Sequence, residues 1–292
     1  MNTKLISFTE KPPFETLPVF KISCHAIGQI MTARKTKTTA EKIQDLQFLI
    51  SETETKYGEA KEGSKVKINL ATKLHKLSDE LTILETCIND SDFDLSETAK
   101  TYCDNWLKSR LYDKKKTFQS KYTDKGLQTE DDAIEYLCET LDWGFAVKND
   151  VRKTNDFLNG ECDVLLSDTV IDVKSSYDCF TFPLFQSEIP NTDYEFQLLG
   201  YMHLYNKKKA ELIYVLMDMP EEMIRKEAFF KLGKEYTIEE YSAFEEERKY
   251  SHLPDYLRIK RFTVAFDSEK IEAIRNKVIE CRRYIEFKYE NL

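Results

Sequence analysis

The chain has 292 residues, 41% of them hydrophobic and 33% charged, and a formal net charge of −9. That balance supports a sizeable core and excludes a disordered chain, and the acidity excludes a polyanion binder that works through bulk charge, though not a locally basic channel. No apolar run reaches bilayer length and the N-terminus lacks the basic-then-apolar layout of an export signal, so the expected compartment is the cytoplasm.

Up to about Leu17 the chain is rich in Thr, Pro and polar residues and reads as an irregular arm. Residues 21–32, KISCHAIGQIMT, suit the start of a short helix with Ser23 near its N-cap. Helical periodicity follows at 39–55 and 68–87, broken by a Gly- and Lys-rich stretch, and again at 95–111 and 125–141. The pattern then changes. Residues 145–149, 162–166 and 169–174 are short strand-like runs, 194–205 is an amphipathic helix, and 210–217 is apolar enough for a buried central strand. A charged helical region at 221–250, an outer strand at 257–266 and a closing helix at 268–289 complete the order. This order predicts an α/β fold, with an N-terminal arm and helical insertion over 1–95 and a core over 96–292.

Seven cysteines, Cys24, Cys87, Cys103, Cys138, Cys162, Cys179 and Cys281, are scattered, odd in number and without a C-x-x-C pair. Reduced thiols are expected, rather than a disulfide framework, a zinc site or an iron–sulfur cluster. His75, His203 and His252 have no partner at ligand spacing, and no Walker loop or Ser/His/Asp signature is present.

The segment richest in chemistry is GECDVLLSDTVIDVKS, residues 160–175. Asp172 and Lys174 are two apart on a strand and share one face, while Ile171 and Val173 take the other. A Ser167-Asp168 hairpin loop sets Asp163 opposite Asp172; an Asp168-Thr169 loop sets it opposite Lys174. Either register leaves all three charged groups on one face. Two close carboxylates repel unless neutralised, and a hard divalent cation with oxygen ligands is the natural partner, Mg²⁺ best of all, with Mn²⁺ as its substitute. Such a site suits phosphodiester hydrolysis, with Lys174 beside the attacking water. D-x-K is short and common, however, so this segment alone reads equally as surface charge on an exposed hairpin.

Gln197 and Tyr201, four apart on the following helix, share a face, and Glu130 lies four residues after Gly126 on an earlier one. In order, GLQTE, then GECD with IDVK, then QLLGY resembles the lambda-type phage exonucleases, or viral recombinases. Behind them stand the RecB-like nucleases of the PD-(D/E)XK superfamily. The resemblance covers roughly Lys21 to Asp218 and rests on the set rather than on any single member. It implies a restriction-endonuclease-like core, a central mixed β-sheet flanked by helices, with an N-terminal helical region. It further implies that Glu130, Asp163, Asp172 and the Val173 carbonyl hold a metal, that Lys174 is the catalytic lysine, and that Gln197 with Tyr201 supports the site and the DNA backbone. The N-terminal ISCHAIGQIMT is similar to the segment that touches DNA and a 5′-phosphate; Ser23 keeps a hydroxyl there, while His25 stands where serine is usual. Cys162 replaces the usual proline before the first Asp.

The activity so implied is a Mg²⁺-dependent exonuclease that degrades duplex DNA from its ends, 5′ to 3′, for phage-type single-strand annealing recombination in the host cytoplasm. A single-strand annealing protein is the implied partner and a ring-shaped homotrimer the implied assembly. The rivals are another PD-(D/E)XK nuclease, structure-specific or endonucleolytic, and a catalytically silent DNA-binding module. The basic clusters at Lys114–Lys116, Lys207–Lys209 and Arg282–Arg283 are candidates for a DNA channel.

Overall fold

Two apolar runs, Thr169–Ser175 and Lys209–Val215, form the centre of a four-stranded sheet because nearly every side chain along them is buried. The computed structural model describes residues 13–86, 92–117, 120–144 and 146–292. In chain order its elements are β1 (Ile22–Ser23), α1 (Ile27–Met31), α2 (Thr39–Glu59), α3 (Lys65–Thr86), α4 (Glu97–Leu111) and α5 (Lys121–Thr140). There follow β2 (Lys153–Thr154), β3 (Leu158–Gly160), β4 (Val164–Leu165), β5 (Thr169–Ser175), α6 (Thr192–Tyr205) and β6 (Lys209–Val215). The last four are α7 (Glu221–Lys231), α8 (Ile238–Glu246), β7 (Ile259–Ala265) and α9 (Ser268–Glu290). No helix among the described residues is long and apolar enough to cross a membrane.

The chain divides into two compact units, one holding residues 30–111, 279–292 and the described residues before 20, the other holding 20–29 and 112–278. Unlike a cut at residue 95, this division gives α4 to the first unit and residues 20–29 to the second.

In the first unit α2 and α3 pack together, and Thr38 starts α2 with a capping box, its hydroxyl accepting the Glu41 N–H while Glu41 returns to the Thr38 backbone. The aromatic ring of Phe93 meets Tyr284 and Phe287 at centroid distances of 5.3 and 5.2 Å.

In the second unit the sheet order is β4-β5-β6-β7: β5 and β6 are parallel, joined by α6, and the outer pairs are antiparallel. Alternation along β5 divides its work. Ile171 and Val173 meet Val164, Ile213, Val215 and the Ala133, Ile134 and Leu137 stripe of α5. Each aliphatic side chain fully buried in that layer contributes about 1.5–3 kcal/mol. The opposite face, with Asp172, lies under α6, whose Leu198, Leu199 and Met202 are wholly buried.

A second, three-stranded sheet has the order β1-β3-β2. Strands of two or three residues carry no readable period, so this sheet exists only through pairings such as Ile22 with Leu158. Of the expected strand at 145–149, the described residues 146–149 belong to no strand. Phe145 lies outside the described residues, Val147 is 75% exposed, and Lys148 makes one isolated bridge to Val164. Ser23 stands at the N-terminus of a short 3₁₀ turn but makes no side-chain cap.

The segment around Cys24 sits tight against β3 and α6. A Cβ at Gly160 would fall 2.6 Å from Cys24 Sγ, and one at Gly200 would fall 2.6 Å from Ile27 Cδ1 and 2.9 Å from Cys24 Sγ. Gly200→Ala is therefore expected to destabilise the protein by about 1–3 kcal/mol through overpacking. Urea unfolding measures this, and a variant as stable as the wild type would show that the segment moves aside freely.

Candidate active site

The β4–β5 hairpin closes through the two-residue loop Ser167-Asp168, with the Leu166 N–H donating to Thr169 O at 2.9 Å and Val164 paired with Ile171. Of the two registers open from the sequence, this is the one that directs Asp163 towards Asp172. Asp163 leaves the regular ladder: its N–H donates to Ile171 O at 3.1 Å, and its Oδ2 accepts the Val173 N–H at 2.6 Å. Its carboxylate is thus held against β5, at the residue between Asp172 and Lys174.

Asp172 is 1% exposed. Its Oδ1 accepts Gln197 Nε2 at 2.8 Å, and Gln197 also donates to the Tyr201 hydroxyl at 3.0 Å. Lys174 Nζ forms an ion pair with Oδ2 at 2.7 Å. Burial pulls the Lys174 ammonium down, but Asp172 and Asp163 more than reverse this and hold it above the usual lysine range. Asp163 goes the other way, pushed up to about 8 by burial and then by the Asp172 charge.

Asp163, Lys174 and Gln197 line a cleft of about 740 Å³ together with His25, Glu130 and Val173, while the buried Asp172 lies behind this lining and is not part of it. Glu130 reaches the cleft wall but pairs with Lys148 at 3.2 Å, and Lys148 also holds Asp131 at 2.8 Å. Ser23 does not line the cleft; its Oγ is 2.9 Å from His25 Nδ1 and sets that ring. Burial, then Arg152 and Lys174, lower the His25 pKa, so the ring is neutral at neutral pH. Tyr201 is 5% exposed and serves Gln197 rather than the cleft surface.

The donor set suits a hard cation: two carboxylates, Asp172 paired with Lys174, and Asp163 with its pKa raised by burial and then by the Asp172 charge. Among the described residues no three His, Cys, Asp or Glu side chains come close enough to hold a metal by themselves. The fit is therefore to an ion that keeps several waters, as Mg²⁺ does, and not to a closed cage.

Three features escaped the sequence. Tyr194, three residues before Gln197, places its ring 5.1 Å from Lys174 Nζ. Ser176, just past β5, has a buried hydroxyl with no hydrogen-bond partner among the described residues. Lys125, beside Gly126, is fully buried. The spacing of Tyr194 from Gln197 was a signal available in advance; nothing local marks the other two. The Lys207–Lys209 cluster proves structural in part: Lys207 donates to Ser167 O at 2.6 Å, Lys208 covers the Phe266 ring, and Lys209 pairs with Glu211 at 2.9 Å.

Comparison with solved structures bears on the whole arrangement. A phage-related exonuclease from Haemophilus somnus 129PT superposes with a TM-score of 0.62 at 21% identity, over 94% of this chain and 97% of that one. The chain has that protein's fold. An alkaline exonuclease from Laribacter hongkongensis matches with a TM-score of 0.50 at 11% identity, over 94% of this chain and 91% of its own. The architecture is accordingly the α/β fold expected from the sequence, shared with these two exonucleases. No family profile matches the sequence, and no curated protein matches it.

The raised Asp163 pKa has a thermodynamic consequence. With an ordinary value of 3.8 and a folded value of about 8, the proton it takes up stabilises the fold fully below pH 4. That stabilisation is lost as pH rises through about 8. A divalent cation held there would replace the proton, so saturating Mg²⁺ is expected to raise the melting temperature more at pH 8 than at pH 5. Differential scanning fluorimetry against EDTA controls reads this; equal shifts at the two pH values contradict it.

Proposed function

We propose that the chain is a Mg²⁺-dependent DNA exonuclease that hydrolyses phosphodiester bonds from duplex ends, running 5′ to 3′, with Mn²⁺ able to replace Mg²⁺. One observation carries the reading: Asp172 and Lys174 share a face of β5, with Asp163 held against the same strand and Gln197 bonded to Asp172, beside an open cleft. The shared fold with two exonucleases supports it.

Mg²⁺, when bound, supplies a Lewis acid for the phosphate oxygen and lowers the pKa of a water. Asp163, Asp172 and the Val173 carbonyl are the residues that would hold it directly; Glu130, paired with Lys148 on the cleft wall, would reach it through a water. Lys174, kept protonated by both aspartates, acts as a hydrogen-bond donor to the attacking water and as a charge against the pentavalent phosphate, not as the base. Gln197 fixes the Asp172 carboxylate, and Tyr201 fixes Gln197. The neutral His25 ring, aimed by Ser23, offers a hydrogen bond at the cleft wall for a terminal phosphate. A single-strand annealing protein would take up the exposed strand, and a homotrimer around DNA is the assembly in keeping with this reading.

Asp172→Asn and Lys174→Ala are each expected to lower kcat on linear duplex by about a hundredfold or more, with DNA binding in Ca²⁺ retained. Near-normal turnover in either variant, or full activity in EDTA, would overturn the mechanism.

The substrate end is tested separately. With a net charge of −9 the protein holds internal duplex weakly, so productive binding depends on a terminus. Linear duplex is expected to be degraded and covalently closed circles to survive, with a 5′-phosphorylated end cut faster than a hydroxyl end. Equal cleavage of closed and linear duplex would leave the nuclease centre standing and make it endonucleolytic.

A further inference from the structure

We propose that Lys125 is a positioning residue for this cleavage site: its side chain bolts α5 to the ends of β5 and β6 and so fixes the two walls of the cleft relative to each other. The inference rests on the nuclease reading above.

The geometry is specific. Lys125 is 0% exposed, and its Nζ donates to Ser176 O at 2.9 Å, Tyr177 O at 2.9 Å and Met217 O at 2.6 Å. An ammonium has three donors, and all three are engaged. Among the described residues no carboxylate lies within ion-pair distance of it, so backbone dipoles carry the compensation that a buried lysine usually takes from a counter-ion. The three carbonyls belong to chain that has just left the sheet, past the last residues of β5 and β6, where the ladder no longer supplies donors. Without the ammonium, three buried acceptors would face one another unsatisfied.

The bolt is placed where it bears on chemistry. Thr123, Gly126, Leu127 and Glu130 of α5 line one wall of the cleft, and Lys174 to Tyr177 line another. Lys125 joins the two walls, reaching chain two and three residues beyond Lys174. The apolar contacts of α5 lie farther along, at Ala133, Ile134 and Leu137, and hold its other end. Lys125 therefore sets the separation of Glu130 from Lys174, to which the rate is sensitive at the scale of an ångström.

The experiment compares the wild type with Lys125→Met and Lys125→Arg on linear duplex in Mg²⁺ at pH 7.5. The Met variant keeps length but removes every donor. It is expected to unfold cooperatively, bind DNA in Ca²⁺ normally and keep KM within about threefold, while kcat falls at least about tenfold. Recovery of most of that loss by the Arg variant adds support. A folded Met variant with wild-type kcat, or one whose loss merely follows its unfolded fraction, overturns the proposal.

If the Met variant does not fold, the wild-type pH profile decides. A neutral amine has two N–H donors for three carbonyls and turns a lone pair on the third. Burial draws the Lys125 titration down to about 8 against the opposing Asp218 and Asp178 charges, and the Tyr250 ring is the other titratable group packed on it. A fall in kcat above pH 8 with unchanged DNA binding supports the bolt; a flat profile to pH 10 overturns it. A wild-type protein inactive on all DNA sinks the nuclease reading, whereas an active wild type with an unaffected Met variant sinks this inference alone.

Discussion

A carboxylate buried at the centre of a sheet is the constraint around which the second unit is arranged. Desolvating Asp172 costs several kcal/mol unless charge and hydrogen bonds replace the lost water. Lys174 supplies the charge from two residues along the same strand, and Gln197 supplies the hydrogen bond from α6. Each partner then needs support of its own. Gln197 is fixed by Tyr201, and Lys174 lies against the Tyr194 ring. The arrangement still leaves Asp163 with a pKa raised by burial and then by the Asp172 charge.

The period of two along β5 lets one strand serve both packing and chemistry. Ile171 and Val173 are locked into the α5 layer, so Asp172 and Lys174 cannot slip register without turning that apolar pair out of the core. α5 has a similar double use. Its later turns pack against the sheet through Ala133, Ile134 and Leu137, and its earlier turns, from Thr123 to Glu130, form a cleft wall. Rigidity at the site is thus borrowed from the hydrophobic layer directly beneath it.

An acidic protein with the proposed polyanionic substrate would have to gather its positive potential locally. Lys174 lies in the cleft itself, while much of the remaining basic surface is committed elsewhere, as with Lys209 on Glu211 and Arg283 on Glu280 at 2.8 Å. On the proposed reading, affinity along a duplex would be weak and the site itself would carry the selectivity.

The α/β order of the long elements is legible in the chain: α2, α4, α5 and α9 lie where helical patterning puts them, β5 where a short strand-like run does, and β6 where a continuous apolar run does. The sequence by itself also placed Asp172 and Lys174 on one face, since alternation along a strand is a local property. Only the tertiary structure decided the rest. The hairpin register required the Leu166 to Thr169 closure, and the sheet of β1, β2 and β3 required partners more than a hundred residues apart. The ties of Glu130 to Lys148 and of Lys125 to three carbonyls join side chains to groups 18 to 92 residues away. Such pairings leave no period and no spacing in the chain, because the energy that selects them comes from burial, which exists only once the layers have closed.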